Sequence, residues 1–222
     1  MLQKLSIMAN NNIPQILTDI SKHLSARPFK ISAKNQDGRI NSAINEDEVL
    51  NYLERTFSFG KYKLVRPQAR DWFDFAIEGN QDFFPVNIKV TMTTTTDNLN
   101  CKLGIYYALT GLKPSFGNEI GWLSFFEKLK DAFGKHKDKD YYFLIVNKSN
   151  LSDVFCSTLK CINNLTPNGN NLPFQSRWQD NHTLVSRSFE DAADYIMNTF
   201  ATSIKLRSDI YFNFKKYFPQ YV

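Results

Sequence analysis

The sequence is poor in the residues that build metal clusters and covalent scaffolds. Its 222 residues hold three cysteines (Cys101, Cys156 and Cys161) without a C-x-x-C pair, and three widely separated histidines (His23, His136 and His182). An odd, scattered set excludes a disulfide framework and a zinc ribbon, and it predicts a reducing, cytoplasmic setting. Apolar runs are short: none approaches the ~18–20 residues of a membrane span, so no membrane is expected as a partner. The first nine residues are too few and too interrupted for the apolar stretch of a secretory leader. Glycine is scarce, at nine residues, and none falls into G-x-x-x-x-G-K-[ST], G-x-G-x-x-G or G-x-S-x-G. Nucleotide-driven motors, dinucleotide enzymes and ordinary serine hydrolases are therefore disfavoured.

What is present has a globular balance, with 42% apolar and 22% charged residues, enough to bury a core. The 27 basic against 22 acidic side chains give +5. That excess suits an anionic partner such as nucleic acid, and equally suits plain solubility. No repeat, long linker or low-complexity tract divides the chain, which predicts one domain over residues 1–222.

Ile13, Ile16, Leu17, Ile20 and Leu24 have helical spacing, with Pro14 in the first turn and Pro28 as the stop. A second helix is expected to start near Asn45 as its cap, with Glu48 completing a capping box and Val49, Leu50, Leu53 and Phe57 as its apolar stripe. Residues 62–65, 72–78 and 84–91 read as strands, the last two joined through the turn at 79–82 into a hairpin. Residues 92–100 read as a polar loop, 103–109 as extended or helical, 122–133 as an amphipathic helix, and 135–140 as a charged turn. Residues 141–146 read as a buried strand, 163–181 as a long polar segment, and 189–206 and 207–217 as two closing helices. This order predicts a mixed α/β (α+β) fold.

The hairpin carries the chemistry. Strand alternation puts Trp72, Asp74, Ala76 and Glu78 on one face and Phe73, Phe75 and Ile77 on the other. On the second strand Val86, Ile88 and Val90 face one way, and Asn87, Lys89 and Thr91 the other. Asp74 is thus expected near Asn87 and Lys89. A carboxylate there is a hard ligand for Mg²⁺, and a lysine there can orient water and stabilise charge on a phosphate; an exposed ion pair has the same spacing. Glu46 falls within the apolar stripe of the second helix. Either it has a partner in the hairpin, or it sits in a solvated first turn that favours an acid.

A helix with Glu, a strand with Asp, and a paired strand with x-x-Lys together resemble the PD-(D/E)xK nuclease superfamily, and more narrowly type II restriction endonucleases of the EcoRV kind. The segments that carry the likeness are Arg39-Ile40-Asn41-Ser42-Ala43-Ile44-Asn45-Glu46, Trp72-Phe73-Asp74-Phe75, Val86-Asn87-Ile88-Lys89-Val90-Thr91 and Lys102-Leu103-Gly104-Ile105-Tyr106. Two more follow: Asn168-Gly169-Asn170-Asn171-Leu172-Pro173-Phe174-Gln175-Ser176-Arg177-Trp178, and Ser203-Ile204-Lys205-Leu206-Arg207-Ser208-Asp209. The resemblance implies a restriction-endonuclease-like core, a central mixed sheet flanked by helices. It implies Asp74 as the metal-binding aspartate, Lys89 as the catalytic lysine, Glu46 as the helical acid, and the Ile88 carbonyl as a further ligand of Mg²⁺. Phe73 stands where that motif has proline. Asn87 stands where it has a second acid, offering an amide oxygen without the charge, so the expectation is either weaker metal binding or compensation by Glu46, Glu78 or Asp82.

The same resemblance implies hydrolysis of double-stranded DNA at a specific site, leaving 5′-phosphate and 3′-hydroxyl ends, by a homodimer functionally partnered with a DNA methyltransferase. The apolar face of residues 13–26 is a candidate dimer contact, or core. Base reading needs amides, hydroxyls and cations; the candidates are Thr94, Asn98, Lys102, Asn168, Asn170, Asn171, Gln175 and Arg177. Lys160, Arg187, Lys205, Arg207, Lys215 and Lys216 are candidate phosphate contacts. A repair or recombination nuclease of the same superfamily, and a non-cleaving DNA-binding protein with a decayed site, are the alternatives.

Overall fold

The computed structural model describes residues 13–27, 29, 31–32, 38–68, 71–116 and 121–222, with the backbone alone for 38–43. The first nine residues, the expected stop at Pro28 and the side chains of 39–43 lie outside the described residues.

Helix α1 (Gln15–Ala26) buries Ile16, Leu17, Ile20 and Leu24 as one stripe, and Pro14 is its N-cap, one position before the first turn. Helix α2 (Gly38–Thr56) starts well before Asn45. Asn45 is therefore no cap; it lies mid-helix and is 1% exposed. Glu48 closes no capping box either: it accepts hydrogen bonds from the Ser32 backbone N–H at 2.8 Å and from the Ser32 hydroxyl. Ile40, Ala43 and Ile44 carry helical spacing back before Asn45, and the capping-box pattern at Asn45 and Glu48 concealed it.

Strands β1 (Lys63–Val65), β2 (Phe75–Glu78) and β3 (Phe83–Thr91) form an antiparallel meander, with Leu64 opposite Ile77 and Ile77 opposite Phe84. The turn between β2 and β3 is the expected one, Gly79 N–H donating to the Asp82 carbonyl at 3.0 Å. Strand β2 is shorter than expected because the chain bends over 72–74. Alternation fails there, and Trp72 and Phe73 both pack on one side of the sheet.

Strand β4 (Thr96–Leu99), helix α3 (Lys102–Thr110) and helix α4 (Trp122–Ala132) make the crossover to β5 (Tyr142–Asn147). Strand β5 runs parallel to β3, from Val86 opposite Tyr142 to Thr91 opposite Asn147, the pairing that such a crossover permits. Strand β6 (Val154–Thr158) completes the sheet order β1-β2-β3-β5-β6. Strands β7 (Thr166–Pro167) and β8 (Phe174–Arg177) join β4 in a second sheet, β4-β8-β7. The two segments expected as polar loops, 92–100 and 163–181, thus contain this sheet. Its strands carry few apolar residues, with Leu99 and Phe174 as buried anchors, so backbone pairing rather than alternation defines it.

Helix α5 (Phe189–Tyr217) is one continuous helix where two were expected, since neither Gly nor Pro interrupts it. Ser188 caps it, its hydroxyl accepting from Asp191 N–H at 3.0 Å.

The central sheet separates two apolar layers. Phe75, Ile77, Val86, Ile88 and Leu144 pack with α1 and α2. Ala76, Phe143 and Ile145 pack with α3, α4, the first half of α5, and Phe174 and Trp178. The fold is mixed α/β, a central mixed sheet flanked by helices with a second three-stranded sheet. The stripe of α1 belongs to the first layer, so the candidate dimer face at 13–26 is core. Among the described residues no helix is long and apolar enough to cross a membrane.

Candidate active site

Pairing of β2 with β3 stops at Phe75 opposite Val86. Asp74 N–H still reaches the Val86 carbonyl at 2.9 Å, and then the chain bends away. The next N–H on that edge of β3, that of Ile88, is left to the Asp74 side chain, whose Oδ2 accepts from it at 2.6 Å. A strand residue presents its N–H and its C=O to the same edge, so the Ile88 carbonyl faces the same opening. Asp74, Asn87, Ile88 and Lys89 therefore gather at the open end of the hairpin, far from its turn.

Glu46 arrives from the other layer. It lies two turns inside α2 and not in a first turn, which removes the helix-terminus explanation for an acid there. With Ile44, Asp47, Leu50, Arg66, Pro67 and Asp74 it lines an open cleft of about 480 Å³. Burial, and then the negative charge of Glu46, push the Asp74 carboxyl up to about 7, against the opposing pull of the Ile88 N–H and of Lys89. Two carboxylates crowded in this way suit a divalent cation, which would favour the charged form of both.

The donor chemistry fits Mg²⁺. Two carboxylates and a backbone carbonyl are hard oxygen ligands, and Mg²⁺ is commonly held by one or two carboxylates while it keeps several waters. Among the described residues no group of three or more His, Cys, Asp or Glu side chains is placed to hold a metal. Of the acids expected to compensate for Asn87, Glu78 and Asp82 lie at the turn end of the hairpin. Glu78 is paired with Lys63 at 2.7 Å and Asp82 accepts from the Tyr62 hydroxyl at 3.2 Å. Glu46 is the one beside Asp74.

Asn87 lies beside the hydroxyl of buried Tyr141, and that hydroxyl donates to the Trp72 carbonyl at 2.9 Å. The rings of Trp72 and Tyr141 stack at 5.8 Å. This strut fixes the bend that carries Asp74. Lys89 Nζ donates to the Asn98 carbonyl of β4 at 3.3 Å, which ties β3 to the second sheet.

Arg66 at the cleft rim escapes a reading of the sequence. Its guanidinium donates to Glu54 at 2.8 and 2.9 Å, to Asp47 at 2.7 Å and to Asn51 at 2.7 Å. The signal was there in part: Asp47, Asn51 and Glu54 make a polar strip at helical spacing that calls for a cation.

The candidate DNA-reading residues divide into two groups. Thr94 is exposed in the turn before β4, and Asn98 faces Gln175 across the β4–β8 pairing. Asn170 and Asn171 are exposed in the loop before β8. Asn168 has an internal role: its Nδ2 donates to Asn98 Oδ1 at 2.8 Å, and its own Oδ1 accepts from the Asn170 and Asn171 N–H groups. Arg177 is forked onto Asp180, both contacts at 2.9 Å. Lys102 lies with its ammonium 3.9 Å over the Trp122 ring, and burial lowers its pKa. Three expected phosphate contacts are likewise engaged. Lys160 is 3% exposed, its ammonium under the carbonyls of Lys137 and Lys139, so it is withdrawn from that list. Arg187 donates to the Lys160 and Ile162 carbonyls, and Arg207 to those of Gly169 and Asn170. No protein-family model and no curated protein matches the chain.

Proposed function

We propose that this protein is a Mg²⁺-dependent, site-specific endonuclease of double-stranded DNA, of the type II restriction kind. The observation that carries the reading is the convergence of Asp74, the Ile88 carbonyl and Lys89 at the open end of one hairpin with Glu46 of α2 across a cleft. Asp74, Glu46 and the Ile88 carbonyl would hold the cation. When bound, Mg²⁺ supplies a polarised water and charge neutralisation at the scissile phosphate.

The chain's own groups do the rest. Lys89 places an ammonium where it orients the attacking water and offsets charge gathering on the phosphate oxygens. The bond of Tyr141 to the Trp72 carbonyl keeps the Asp74 carboxylate at the edge of β3. Hydrolysis joins a water oxygen to phosphorus and breaks the bond to the 3′ oxygen, leaving 5′-phosphate and 3′-hydroxyl ends. The β4–β8 pair, with Asn98 and Gln175, and the loop with Asn170 and Asn171 offer amides for base edges next to that site. A DNA methyltransferase protecting the same site would be the functional partner.

A non-cleaving DNA-binding protein is the second reading, favoured by Asn87 standing where the motif has a second acid. Incubation with plasmid DNA of mixed sequence and Mg²⁺ decides. Discrete fragments support site-specific cleavage. A smear or structure-selective nicking points to a repair-type nuclease, and retarded but intact DNA points to the second reading.

A further inference from the structure

The second half of α5 leaves the body of the molecule. Ser203 is the last buried residue of the helix, and from Ile210 onward every residue is exposed. An exposed helical end is normally polar, and this one is not. Leu206, Ile210, Phe214 and Tyr217 are 47%, 58%, 46% and 68% exposed, and at ~100° per residue they fall on one stripe. Exposed rings of Tyr211, Phe212, Phe218 and Tyr221 surround that stripe. An exposed apolar surface of this kind marks a contact site.

We propose that this arm pairs two copies of the chain, helix against helix, antiparallel about a two-fold axis near Phe212. A two-fold contact uses the same patch on both copies, and this patch matches itself. In that register Ile210 meets Phe214 of the second copy and Leu206 meets Tyr217, so each aliphatic side chain lies against a ring. Charge selects the direction. Asp209 and Lys216 lie on the same flank of the stripe. Antiparallel helices bring like flanks together, which sets Asp209 against Lys216 of the second copy. A parallel pair would leave that acid facing the flank that carries Tyr211.

Sedimentation of the full chain, without DNA, tests this pairing independently of any nuclease activity. The expected mass at micromolar concentration is twice 25.7 kDa. Ile210→Asp with Phe214→Asp should weaken pairing ~100-fold or more while leaving circular dichroism nearly unchanged, because both side chains lie on the exposed stripe, where the Phe214 ring meets the exposed ring of Phe218 at 5.2 Å. Asp209→Lys should weaken it at low salt, and adding Lys216→Asp to the same chain should restore it, a rescue that a damaged helix would not show. A monomer at every concentration overturns the proposal. So does a dimer indifferent to the Ile210 and Phe214 substitutions, and so does a monomer that floats with phosphatidylcholine–phosphatidylglycerol vesicles, which would make the arm a lipid-binding surface.

Discussion

At the residue scale the site rests on two side chains with opposite demands. In the proposed reaction Lys89 serves the chemical step more than binding, since one cation among many adds little to phosphate affinity. Lys89→Ala should therefore cost ~100-fold or more in cleavage rate and leave gel-shift affinity for DNA within a few-fold; cleavage within tenfold of the parent would remove Lys89 from the mechanism. Asp74 works against the fold. Its carboxyl ordinarily titrates at 3.8 and is held at about 7 in the native state. Because the folded value is the higher one, the contribution to stability is fully present below about pH 4 and is lost as pH rises through about 7. Asp74→Asn has no such titration and should stabilise the metal-free protein at pH 8 by about 1–3 kcal/mol, with no gain near pH 4. Denaturant midpoints at the two pH values measure it. Added Mg²⁺ should raise the midpoint of the parent at pH 8 and not that of the variant. The sequence disclosed the neighbourhood of Asp74 and Lys89 because the hairpin turn and the alternation along β3 are local rules, although the bend at 72–74 breaks alternation on the other strand. It could not disclose the bond from Tyr141 to the Trp72 carbonyl, which joins positions far apart in the chain.

At the scale of elements, close approach does the positioning. Helix α3 lies against Tyr141 through Gly104: a methyl group there would meet three ring carbons of Tyr141 at 2.6, 2.7 and 2.8 Å. Tyr141 is 1% exposed and has no room to yield. Gly104→Ala should destabilise the protein by about 1–3 kcal/mol, seen as a lower melting temperature, and should also lower cleavage in conditions where the protein stays folded, because Tyr141 braces the bend at Asp74. A variant that melts normally would show that α3 shifts to make room. Elements with strong apolar periodicity were legible: α1, the β2–β3 hairpin, α4 and β5 fall where spacing puts them. Those without it were not. Strand β4 has one buried apolar anchor in Leu99, so its conformation is set by partners elsewhere in the chain. The single helix α5 was read as two because the exposed second half has a different pattern from the buried first.

At the scale of the whole molecule, the sheet divides labour. One layer, under α1 and α2, brings Glu46; the other brings Tyr141 and the second sheet; the opening between β2 and β3 is where they meet. The loop that carries Asn170 and Asn171 is not loose in this arrangement. Arg207 at the root of the arm grips its carbonyls at 2.9 and 2.7 Å, and Gly169 packs against Leu206 so closely that a methyl group would lie 2.8 Å from it. With two copies joined through their arms, that grip acts as a ruler: the gap between the two loops is counted in helix residues. One residue inserted after Ser208 would turn the apolar stripe by ~100° and should abolish pairing. Four would nearly restore its phase while lengthening each arm by ~6 Å, and should keep the dimer while changing the spacing between the half-sites it cuts. A selection of cut sites from random DNA would report that spacing directly, in base pairs.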